Sequence, residues 1–176
     1  MVFWGKKKIK EIDAAGQFVM SITRGVQQHW SSIAKELNEL PLKDKPISED
    51  EYAAFEFCLA VIVCQIQALP NLLNEKQASR IREYILQCIS NPDLGSYPKD
   101  AITEYQTAWD DSLKQGELPI YGIASVLFDK LECKNMLEIG DNKFKSPVFL
   151  MVLGEKVVTF GGPWWKNIIS KYKIVP

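Results

Sequence analysis

The sequence predicts an all-α fold: a single-domain bundle of about seven helices around one buried central helix. Three observations carry this. Apolar residues recur at steps of three and four along most of the chain. Residues 53–73, AAFEFCLAVIVCQIQALPNLL, are apolar on nearly every face. Ser, Asn, Gly and Pro fall where helices begin and end. The alternative is a mostly α fold with a small C-terminal β-hairpin near residues 148–160. The 176 residues suit one domain, and 47% hydrophobic with 24% charged residues excludes a disordered or low-complexity chain.

The first helix is expected from about Ile9 to Leu40. Ile12, Val19, Val26, Ile33 and Leu40 recur every seven residues, and Ile9, Gly16, Thr23, Trp30 and Leu37 form a second row. Gly16 and Gly25 mark a kink or a close helix crossing. Pro41 stops the helix. After the linker PLKDKPIS, Ser48 is the expected cap of a second helix, with Glu51 completing a capping box. The row Tyr52, Phe55, Leu59, Ile62, Ile66 and Leu69 and the opposite face are both apolar, so this helix belongs in the centre. Its uninterrupted apolar part, Phe57–Cys64, falls short of the roughly 20 residues of a membrane span.

Asn74 with Gln77 reads as the cap of a third helix, which buries Ala78, Ile81, Ile85 and Cys88. The turn-rich NPDLGSYP follows, then a helix from Pro98 to Gly116 with Ile102, Tyr105, Trp109 and Leu113 on one face. Pro119 opens a fifth helix. GDNK, residues 140–143, is a turn. Ser146–Pro147 resembles a helix start and Gly161–Gly162 a helix stop. The β-rich composition around Gly154–Glu155 supports the hairpin alternative. WWKNIISKYK forms a short last helix.

Catalytic signatures are missing from the sequence. There is no GxGxxG, GxxxxGK[ST], GxSxG or HExxH, and the single histidine, His29, cannot supply a di-metal site. Cys58, Cys64, Cys88 and Cys133 form no CxxC, and three of them sit in apolar contexts. No secretory signal precedes the first helix. These features point to a cytoplasmic, non-enzymatic protein with no cofactor or metal. Glu56 stands alone in an apolar stretch. It must find a partner, with Arg80 or Arg82 as candidates, or serve as the acid of a pocket.

Charge is uneven. Residues 1–10 and 156–176 hold eight lysines and no acid, leaving 13 bases against 22 acids between them. Trp4, Lys6, Lys7, Lys8, Lys10, Trp164, Trp165, Lys166, Lys171 and Lys173 are therefore the candidate residues for a partner or an anionic surface. Residues 1–8 read as a basic arm. A protein partner is the first expectation, an anionic membrane surface the second, and a nucleic acid the least supported. A small-molecule site or enzyme pocket near Glu56 is the third class. An exposed apolar groove favours the first class, clustering of the termini the second, and a closed cavity at Phe55, Glu56 and Leu59 the third. The sequence carries no signal of oligomeric state.

Overall fold

The computed structural model describes residues 6–40, 46–90, 99–133, 136–139 and 142–176. Among them the chain forms strand β1 (Lys7–Lys10), helices α1 (Glu11–Asn38), α2 (Glu51–Ala68), α3 (Glu75–Ile89), α4 (Lys99–Lys114) and α5 (Pro119–Lys130), strands β2 (Met136–Ile139) and β3 (Asn142–Lys145), helices α6 (Pro147–Gly161) and α7 (Trp164–Lys171), and strand β4 (Tyr172–Val175). The fold is mostly α. The loop NPDLGSYP, with Pro98, lies outside the described residues, as do linker residues 41–45.

Helix α2 is the centre, because it has no polar face to give to solvent. Twelve of its 18 residues are buried, and α1, α4, α5 and α6 all pack against it. Ile62, Leu59 and Phe57 are fully enclosed. Glu51–Asn71 is long and apolar enough to cross a membrane by length and composition, but 72% of its most apolar window is buried inside the fold. That is the environment of a core helix. Its cap is Asp50, not Ser48: the Asp50 carboxylate accepts from the Ala53 N–H at 2.8 Å. The Ser48 hydroxyl instead accepts from the Asp50 N–H, and its carbonyl accepts from the Trp30 indole. Ser48 therefore shapes the approach to the helix.

Helix α1 buries Phe18, Ile22, Val26, Trp30 and Leu37, but Ile12 is 49% exposed. A straight helix drifts about 20° per heptad away from a seven-residue row. Counted back from Val26, Ile12 has rotated off the core face. Gly25 is a close crossing, because a Cβ there would come within 3.2 Å of Phe160. At Gly16 nothing lies near. Asn74 and Ser146 cap α3 and α6 as expected, accepting from Gln77 N and Phe149 N.

Helices α4 and α5 make the tightest crossing. A Cβ on Gly122 would lie 2.1 Å from the Ala108 carbonyl oxygen, so only glycine fits. Residues 147–161 are helical, so the hairpin near 148–160 is not formed. Gly154 is buried mid-helix against Ile120 and Ala124, where small size serves a helix contact and not a turn. A hairpin does exist earlier, where β2 and β3 pair antiparallel from Met136↔Lys145 to Ile139↔Asn142. Gly140 and Asp141, the first residues of the expected turn, lie outside the described residues. Lys145 fastens this hairpin to α5, donating to Ser125 Oγ at 2.8 Å and to Asp129 at 2.5 Å.

The last helix is shorter than the sequence implies. It stops at Lys171, and Tyr172–Val175 pairs in parallel with β1. Lys7 and Lys8 thus belong to a strand.

Candidate functional site

Four residues are too few to show periodicity, yet KKIK has one strand-favouring residue, Ile9, and YKIV has three, Tyr172, Ile174 and Val175. They pair in the register Lys7↔Tyr172, Lys8↔Lys173, Ile9↔Ile174 and Lys10↔Val175. Side chains alternate across a strand, and direct partners share a face. Ile9, Tyr172 and Ile174 pack on the core. Lys8, Lys10, Lys173 and Val175 therefore occupy the other face. The two basic ends of the chain meet there, and Lys8 stands directly opposite Lys173. Like charges so placed cost stability.

Three polar fastenings hold this seam to the helices. Glu11, the first residue of α1, is only 1% exposed. Arg80 of α3 grips it in a fork, Nε to Oε2 at 2.7 Å and Nη2 to Oε1 at 2.8 Å. The Arg80 hydrogen bond holds the Glu11 carboxyl below its ordinary pKa. Gln77, also on α3, donates to the Ile174 carbonyl of β4 at 3.3 Å. Lys6 donates to the Ile169 carbonyl in the last turn of α7 at 2.7 Å, a favourable place for a cation.

Beside the seam lies a groove of about 780 Å³, lined by Lys8, Lys10, Ile12, Gly16, Met20 and Val175 together with Asp13. Ile12 and Met20 are 49% and 40% exposed. Ile12, Gly16 and Met20 follow each other at steps of four, so they form one strip on the outer side of α1. The groove thus combines two ammonium groups, Lys8 and Lys10, with an apolar strip, and Lys173 stands opposite Lys8 on the strand pair.

Trp164 and Trp165 do not share it. Trp165 is buried at 1% exposure. Its ring lies 5.2 Å from Phe18 and 4.8 Å from Trp164, and Trp164 is itself 5.2 Å from Phe18. The three rings dock α7 on α1, so the Trp165 ring is packed in the core and Trp164 is half-buried. Trp4 lies outside the described residues. Lys166 is exposed at the α6–α7 turn, away from the seam, and Lys171 closes α7 near its negative dipole end. Of the ten predicted residues, the structure gathers Lys6, Lys7, Lys8, Lys10 and Lys173 at the paired ends.

Glu56 is buried, but its partner is neither Arg80, which is taken by Glu11, nor Arg82, which is exposed. The buried Tyr105 hydroxyl donates to Glu56 Oε2 at 3.0 Å. Burial first, and Glu56 second, raise the Tyr105 pKa. Tyr52 is raised for the same two reasons. Nearby, Lys130 pairs with Glu104 at 2.8 Å. This is a hydrogen-bonded clasp between α2 and α4. Phe55 borders an open groove of about 550 Å³ with Trp30, Glu49 and Asp50 between α1 and α2. Among the described residues the groove that Phe55 lines includes neither Glu56 nor Leu59.

Among the described residues no group of three or more His, Cys, Asp or Glu is arranged to hold a metal, and no disulfide joins the four cysteines. Burial pushes the Cys64 thiol up to about 11, which makes it a poor nucleophile. Comparison with protein-family models, with curated proteins and with solved structures finds no match to the chain.

Glu11, Gln77 and Arg80 are site-supporting residues that sequence reasoning missed. Glu11 looks like an ordinary first-turn acid, favoured there by the helix dipole. Only its position two residues after Ile9, a core residue, hinted at burial.

Proposed function

We propose that the chain is a non-enzymatic interaction module, and that its paired ends receive an acidic, leucine-like segment of a protein partner. One observation carries this: Lys8 and Lys10 line a groove with the exposed Ile12 and Met20, and Lys173 shares their face of the strand pair. The three ammonium groups have a single acid, Asp13, in the adjoining groove. An acidic segment would relieve the Lys8–Lys173 repulsion, and its apolar side chains would cover Ile12 and Met20. A concave groove with an apolar strip suits a peptide better than a flat lipid surface. The membrane alternative is weakened by the burial of Trp165 in the core. A cytoplasmic setting belongs to the same proposal and rests on the cysteine pattern.

The test is fluorescence anisotropy with a short labelled peptide alternating Glu and Leu. Binding is expected to weaken with salt, because exposed charges are screened beyond about 8 Å at physiological ionic strength. Replacing Lys8, Lys10 and Lys173 together by Gln should weaken it about tenfold, and Ile12→Ser a few-fold at unchanged charge. Phosphatidylserine vesicles and heparin are the competing arms. Stronger binding to vesicles than to the peptide transfers the site to membranes. Peptide binding indifferent to the three replacements removes the seam from the function.

A further inference from the structure

A second site emerges at the turn between α6 and α7, away from the paired ends. A groove of about 690 Å³ is lined there by Gln65, Leu72, Val158, Thr159, Trp165 and Lys166. Trp165 is buried, and its indole N–H has no hydrogen-bond acceptor among the described residues. A buried donor left unpaired costs about 1–3 kcal/mol and calls for an explanation. Helix α7 also begins without a side-chain cap, because its N-cap residue is Pro163. The N–H groups of its first turn thus lack a side-chain acceptor, and a helix start of this kind favours anions. The turn before it is fixed by Gly162 at φ +52°, a conformation that other residues rarely adopt. Lys166 stands exposed at the rim, while Leu72 and the 47% exposed Val158 supply apolar walls.

We infer that this groove binds a small organic monoanion, a carboxylate carrying a short apolar tail. The carboxylate oxygens accept from the Trp165 indole and from the uncapped first turn of α7. Lys166 balances the charge, and the tail lies on Leu72 and Val158. One lysine matches one negative charge, which favours a carboxylate over a phosphate dianion. No covalent step is involved.

Octanoate is the probe, with octanol as its uncharged counterpart and sulfate as an anion without a tail. The readout is the indole region of ¹⁵N–¹H correlation spectra, with the Trp165 signal assigned by Trp165→Phe. Octanoate should shift that signal downfield in a saturable manner, with octanol and sulfate each at least about tenfold weaker. Lys166→Gln, an exposed change that leaves the fold intact, should weaken octanoate about fivefold. Thr159→Glu should do the same by placing a like charge in the groove. The inference is wrong if the Trp165 signal stays fixed at about millimolar octanoate. It is equally wrong if octanol moves the signal as strongly, or if both variants bind like the wild type. Peptide binding at the seam is independent of these outcomes, so the two proposals fail separately.

Discussion

The α2 core and the seam of β1 with β4 are held by different physics. Around α2 the contacts are apolar and enclosed, and the one carboxylate, Glu56, is satisfied by a tyrosine. At the seam two four-residue strands pair across nearly the whole chain, with lysine facing lysine. A two-stranded sheet is marginal alone. Here it stands because Ile9 and Ile174 reach the core and α3 holds Glu11 and Ile174 from the side. The core therefore supplies stability and little surface chemistry. The seam supplies charge at little energetic cost to the fold.

This contrast can be broken most easily at its strong side. Ile62→Ala should destabilise the protein by about 2–5 kcal/mol in urea unfolding, since the residue is fully buried with neighbours on every side. A loss below about 1 kcal/mol would deny α2 its central role. Tyr105→Phe should cost about 1–3 kcal/mol by removing a buried donor from Glu56. No change would mean that Glu56 reaches water.

The core also predicts a pH dependence. Cys64, with its folded pKa at about 11, and Tyr105 are both raised by burial. A raised pKa means that the stabilising contribution is complete below the unfolded pKa and disappears as pH rises through the folded one. The urea midpoint should thus fall from about pH 9 upward. Tyr105→Phe should flatten that fall. At the seam, replacing Lys8, Lys10 and Lys173 by Gln should change stability by less than about 0.5 kcal/mol, or raise it slightly, while weakening peptide binding.

The same division explains what the sequence revealed. Helix α2 was legible because its apolar run has only one fold-level solution, burial. The caps at Asn74 and Ser146 were legible because capping is local. Ile12 misled, since a seven-residue row and a 3.6-residue helix separate over two heptads. The seam was hidden for a different reason. KKIK and YKIV are too short for a period, and they pair over 165 positions, from Lys7 to Tyr172. Nothing local encodes that closure. Charge counting found the lysines that meet there, but it grouped them with Trp165, whose burial depends on Phe18 at the far end of the chain.

The central claim is that the paired ends, and not lysines as such, create the binding face. Ile174→Pro tests it at constant charge, since proline removes a backbone donor and the Ile174 side chain that packs on the core. With the helical content verified by circular dichroism, affinity for the Glu–Leu peptide is then compared with the wild type. The account predicts a loss about equal to that of the triple lysine replacement, roughly tenfold. Wild-type affinity in a variant whose seam amides exchange freely would contradict it.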